Sequence, residues 1–155
     1  MKGNWKLYLL LVLPWLTAGK LGKKTLFRFL PTIVFSDLVI ALISELSQKL
    51  KWWKVRNPLF PKLATDVSFV FGPFTIINFW IFKLTFKRFW LYVLINLFAD
   101  YLFAYPFTTL AEKLRIYKMG RMSRKQLFLL SLAVALLNYL YQSVFVEPLR
   151  KNQKA

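Results

Sequence analysis

The sequence predicts an all-α integral membrane protein, a helical bundle of four to five transmembrane helices joined by short basic connectors. Three observations lead there. Phe89 to Ala111 is an unbroken apolar segment whose only charged side chain is Asp100, and about 20 apolar helical residues suffice to cross a hydrocarbon core of about 30 Å. Hydrophobic residues make up 57% of the 155 positions and aromatics 19%, too much apolar surface for an ordinary soluble domain of this size. Nearly all of the 23 Lys and Arg fall in connectors between apolar runs, where they would meet lipid headgroups.

The length allows one domain. A net charge of +17 would suggest nucleic acid in a soluble protein, but its placement points to a membrane surface, so no nucleic-acid partner is expected. The chain has neither cysteine nor histidine. Disulfides, thiolate catalysis, imidazole bases and the common zinc sites are therefore excluded. No cofactor or metal is expected, and the few carboxylates show no catalytic spacing, so the chain does not read as an enzyme.

Taken in order, Lys2 and Lys6 precede the apolar Leu7 to Leu16, the outline of a secretory signal peptide. Trp15 after Pro14, and the weak small-residue site at Thr17, Ala18 and Gly19, argue against cleavage and favour a retained anchor over 7–19. This stretch is short. It either crosses as a thin first span or lies tilted at the interface, anchored by Trp5, Tyr8 and Trp15. After a basic turn, Lys20 to Lys24, Thr25 is placed to cap a second span over 26–47, which Pro31 can bend. Asp37, Ala41, Ser44 and Gln48 share one face of this helix, and Glu45 has Lys49 one turn on as a partner.

The longest connector, Gln48 to Thr65, interleaves cations with indoles. Indoles settle at headgroup depth, and each cation gains about 1 kcal/mol near an anionic surface. Lys51, Trp52, Trp53, Lys54 and Arg56 are the candidate lipid-headgroup contacts. Pro58 and Pro61 stop a helix from forming here. Thr65 or Asp66 can cap a third span, 67–82, in which Ser68, Gly72, Thr75 and Asn78 share a face and Gly72 with Pro73 marks a kink. Lys83 to Arg88 is a tight basic hairpin, which makes the third and fourth spans antiparallel neighbours.

In the fourth span, 89–111, Tyr92, Asn96, Asp100, Ala104 and Thr108 recur every four residues. On a helix of 3.6 residues per turn such a row drifts about 40° per step, so only Asn96 to Ala104 is expected to face one neighbour. Glu112 to Gln126 is the densest positive run, and Ser123 with Gln126 makes a capping box. It opens a fifth span, 127–146, whose Ser131, Ala135, Asn138 and Gln142 share a face. Glu147 and Pro148 end that span, leaving Arg150 to Lys154 as a mobile tail.

Four of the five spans carry a polar or small stripe, which predicts a four-helix core with the first span at its edge. Asp37, Asn78, Asn96, Asp100, Asn138 and Gln142 form a candidate intramembrane polar network. Such residues either satisfy one another inside a packed bundle or line a wet cavity for a proton, cation or small solute. The sequence shows no buried basic partner and no paired discontinuous helices. If all five segments cross, the side holding the N-terminus and the two long connectors carries thirteen of the Lys and Arg against ten opposite, which places the N-terminus in the cytoplasm.

From Pro61 onward the order of features resembles a group of small, uncharacterised multi-pass membrane proteins of spore-forming bacteria. The shared elements are Asp66 soon after Pro61, Pro73 within the next span, the aromatic basic hairpin Phe86 to Trp90, and Asp100 and Pro106 followed by Ile116 and Tyr117. This chain places Asp100 several residues before Pro106, where the group is expected to have its acid beside the proline. The resemblance implies a multi-pass membrane protein and carries no activity. The expected role is accessory, structural or protein-interacting in the cell membrane, with a small transporter or channel as the alternative. The expected partners are the lipid bilayer, anionic lipid headgroups, and a second membrane protein or a second copy of the chain.

Overall fold

The computed structural model describes residues 5–56, 58–63 and 66–153, so the expectations on Lys2, on Thr65 as a cap and on Lys154 fall outside the described residues. Five helical segments follow one another: α1 (Trp5–Val12) with a 3₁₀ continuation (Leu13–Lys20), α2 (Lys23–Leu50), α3 (Val67–Thr85), α4 (Phe89–Lys113) and α5 (Arg124–Asn152). The last four are long and apolar enough to cross a membrane. They close a ring in which α2 and α4 each pack on both α3 and α5. Outward they present rows of exposed apolar side chains, most regularly Leu30, Val34, Leu38, Leu42, Leu46 and Leu50 along α2.

α1 lies outside the ring along α3. It starts where Lys6 Nζ reaches the Leu114 carbonyl (3.5 Å) and ends where Lys83 Nζ donates to the Lys20 carbonyl (2.6 Å). A 3₁₀ helix rises about 2.0 Å per residue against 1.5 Å for an α-helix, so this short segment extends about 28 Å. Its seat depends on Gly72. A Cβ there would overlap the Leu10 carbonyl, so only glycine lets the two backbones touch.

Three π-helical segments interrupt the ring helices, and each contains or precedes a proline: Val70–Phe74 with Pro73, Phe103–Phe107 with Pro106, and Gln142–Val146 ahead of Pro148. Proline removes an N–H, and an i→i+5 turn lets the helix continue past it. The first two share the sequence Pro-Phe-Thr. In both, the threonine hydroxyl donates to the carbonyl five residues back, Thr75 to Val70 (2.7 Å) and Thr108 to Phe103 (2.8 Å). Phe69 stacks on Phe103 with centroids 4.9 Å apart and joins the two bulges.

Several expectations are corrected. The wide turn at Phe103–Phe107 cancels the drift of the four-residue row, so Tyr92, Asn96, Ala104 and Thr108 are all buried rather than winding out of contact. α2 begins at Lys23 with Gly22 at its N-cap, and Thr25 does not cap it. Pro31 sits inside a continuous α2; the carbonyl it leaves unpaired, that of Phe27, accepts from Arg150 (3.3 Å). Glu147 and Pro148 do not end the fifth helix, which runs to Asn152 and takes in most of the expected tail. Glu45 is exposed, and no Glu45–Lys49 ion pair forms among the described residues. Asp66 does cap α3, accepting from the N–H groups of Ser68 and Phe69, and the Ser123–Gln126 capping box opens α5.

The fold also holds a two-stranded antiparallel sheet that the all-α reading lacks. β1 (Trp53–Val55) and β2 (Tyr117–Met119) join the two long connectors, with Trp53 opposite Met119, Lys54 opposite Lys118 and Val55 opposite Tyr117. Gly120 makes the crossing possible, because a Cβ there would strike the Lys51 carbonyl. The opposite end of the bundle, at the α3–α4 hairpin, holds an aromatic core in which Phe29 stacks on Phe82 (5.2 Å) and Phe82 meets Tyr92 (5.2 Å).

Candidate functional site

The six residues of the expected polar network do not form one network. Asp37 lies against the Thr75 hydroxyl, with its two carboxyl oxygens 3.2 and 3.1 Å from Oγ1, and this contact ties α2 to α3. Asn138 Nδ2 donates to Ser36 Oγ (2.7 Å) and ties α5 to α2. Gln142, fully buried, accepts from Thr32 Oγ1 and donates to Glu147 Oε1 (2.9 Å). Asn78 and Asn96 each donate to a carbonyl of their own helix, Phe74 and Tyr92, at 2.9 Å. Amides that bond one turn back add no interhelical link.

The relay through Gln142 supplies the basic partner that the sequence did not reveal. Arg28 donates to both carboxylate oxygens of Glu147, at 2.8 and 3.0 Å, and its guanidinium lies 4.8 Å from the Phe86 ring centroid. A bidentate Arg–carboxylate pair is among the stronger polar contacts a protein makes. It joins the start of α2 to the end of α5. A second missed pair, Arg124 with Glu112 (3.2 Å), joins α4 to α5 at the sheet end. One signal was available: Arg28 stands inside the apolar run Leu26 to Leu30, and a cation so placed calls for an acid at the same depth.

Four of the six, Asn78, Asn96, Asp100 and Asn138, line one cavity of about 670 Å³ between the helices, whereas Asp37 and Gln142 do not. Its size lies within the range of about 300–1,000 Å³ found for small-molecule sites. Side chains of all five helices contribute to its walls, which are mostly hydrocarbon. Two oxygens here are buried without a hydrogen-bond partner among the described residues, Asp100 Oδ2 and Asn138 Oδ1. A buried polar atom without a partner in apolar surroundings is costly.

At the sheet end, Lys51, Trp53 and Lys54 border a second recess of about 640 Å³. Trp52 instead packs near the buried cluster of Ala104, Met122 and Leu127, and Arg56 is exposed while its N–H donates to the Ile116 carbonyl (2.8 Å). Just outside the bundle helices, burial raises the Asp66 carboxyl above the usual aspartate range, and the N–H bonds from Phe69 and Ser68 offset part of that rise. Among the described residues no three acidic side chains gather to hold a metal ion. Comparison with known proteins finds no match to this chain among protein families, curated proteins or solved structures.

Proposed function

We propose that the chain is a multi-pass protein of the cell membrane, non-catalytic, with an accessory or structural role. The membrane reading is supported by the apolar rows that α2 to α5 turn outward, since a soluble monomer rarely exposes contiguous patches beyond a few hundred Å². The observation that carries the accessory role is the division of the intramembrane polar residues into separate bonded groups. Asp37, Asn138 and Gln142 each join one pair of helices, Asn78 and Asn96 bond their own helix, and the walls of the space between the helices are mostly hydrocarbon. Polar residues spent on helix contacts set register and partner choice.

The unpartnered Asp100 Oδ2 beside the cavity favours a second reading, a small transporter or channel for a cation or small solute. Cysteine accessibility separates the two, because the chain has no native cysteine. Single cysteines at Asn78 and Asp100, with the outward-facing Phe98 as control, are treated in intact membranes with a small water-soluble thiol reagent. The accessory role predicts no labelling at any of the three while loop cysteines react. Labelling at Asn78 and Asp100 but not Phe98 would refute it in favour of a solute pathway.

A further inference from the structure

The sheet that joins the two connectors places Lys54 directly opposite Lys118, both exposed. Cross-strand partners stand about 5 Å apart at Cβ, and like charges in that position are destabilising. The fold not only tolerates the pair but adds a third cation, since Lys51 borders the same recess of about 640 Å³. Among the described residues no carboxylate lines it. Glu112, the acid nearest to β2 in sequence, is occupied by Arg124 and by the Met119 N–H. Three ammonium groups around a concavity, with no carboxylate on them among the described residues, form a site for an anion.

The surroundings indicate where that anion sits. The wall of the recess includes Pro58, Pro61 and the exposed Leu63, and Leu46, Leu50 and Phe60, each next in sequence or close to a wall residue, are exposed as well. A free anion in water has no use for hydrocarbon beside it, whereas a phospholipid brings a phosphate and acyl chains together. We propose that Lys51, Lys54 and Lys118 bind the phosphate of an anionic phospholipid headgroup in this recess, which the pairing of β1 with β2 assembles from two connectors. The inference rests on the membrane reading above. It adds Lys118, which no single connector's sequence associates with Lys54.

The test uses the full chain, purified in a mild neutral detergent and titrated with phosphatidylglycerol or phosphatidylcholine, with bound lipid counted by native mass spectrometry. Each cation near an anionic headgroup contributes about fivefold in affinity, so Lys54→Gln/Lys118→Gln is expected to weaken phosphatidylglycerol binding by at least about tenfold. Lys87→Gln/Arg88→Gln removes the same charge from the far end and should change it less than about twofold. Lys54→Arg/Lys118→Arg should retain binding. Lipid-free, the Gln variant should melt at the same temperature or higher, because a repulsive pair has gone. The proposal is overturned if both neutralised variants lose binding equally, if neither does, if phosphatidylcholine binds as well, if inorganic phosphate displaces the lipid at equal concentration, or if the Gln variant melts lower. Release of the chain from membranes by alkaline carbonate would refute the membrane reading instead, whatever the titration shows.

Discussion

Replacing Arg28 with Met tests whether the relay from Thr32 through Gln142 to Glu147 holds the two ends of the fold together. Met keeps the length of the stem but removes the guanidinium, which lies over the Phe29 and Phe86 rings as well as on Glu147, so the loss is chiefly electrostatic. Two charge-assisted hydrogen bonds disappear, each worth about 1.5–3 kcal/mol when buried. The side chains of Arg28 and Glu147 are 30% and 17% exposed, and solvent screening at that exposure argues for the low end, about 3 kcal/mol in all. Glu147 then remains with Gln142 as its one side-chain donor among the described residues. Arg28→Met/Glu147→Met removes that stranded charge and should recover part of the loss, giving a coupling energy of about 1.5–3 kcal/mol. Unfolding of the parent, the two single variants Arg28→Met and Glu147→Met, and the double variant by SDS in mixed micelles, followed by circular dichroism, measures the cycle. A coupling below about 0.5 kcal/mol, the scatter expected of independent sites, would show that the pair does not join α2 to α5.

Three further outcomes follow from single contacts. Thr75→Val leaves the Val70 carbonyl without its donor and Asp37 without the hydroxyl it lies against and should cost about 1–2 kcal/mol in the same unfolding assay, while Thr75→Ser stays within about 0.5 kcal/mol of the parent. Gly72→Ala drives a methyl into the Leu10 carbonyl; α1 should detach from α3, seen as faster proteolysis between Val12 and Lys20 with the α2–α5 ring still helical. Because the folded state holds the Asp66 proton more tightly than the unfolded chain does, the stability that proton supplies is present below the ordinary aspartate value of 3.8 and is lost as pH rises through the folded pKa. Asp66→Asn keeps an acceptor for the Ser68 and Phe69 N–H groups and should remove that decline; an unchanged pH profile would show that Asp66 is not its source.

The inward faces were legible because helical spacing is a local property. Ser68, Gly72, Thr75 and Asn78 on α3, and Ala135, Asn138 and Gln142 on α5, are all buried as their spacing implies. What those faces meet was not legible. Asn138 bonds Ser36 rather than another stripe amide, Gln142 bonds Thr32 and Glu147, and Asn78 and Asn96 turn back on their own helices. The π segments were hidden for a related reason: Pro73 and Pro106 signal an interruption, but whether a helix breaks or widens depends on a threonine hydroxyl closing the turn and on Phe69 stacking across it.

By itself, then, the sequence determined the four long apolar helices, the inward face of α3 and most of that of α5, and the caps at Asp66 and Ser123, because each follows from residues within a few turns of one another; on α2 the expected face ends early, with Gln48 exposed. Tertiary structure alone decided the partners. Trp-Lys-Val and Tyr-Lys-Met are too short to announce strands, and only the ring of helices brings these segments, more than 60 residues apart, to the same end of the bundle. The same holds for Arg28 with Glu147, which are separated by 119 positions. A charge's partner is set by which helix lies beside it, and that depends on the packing of the whole chain.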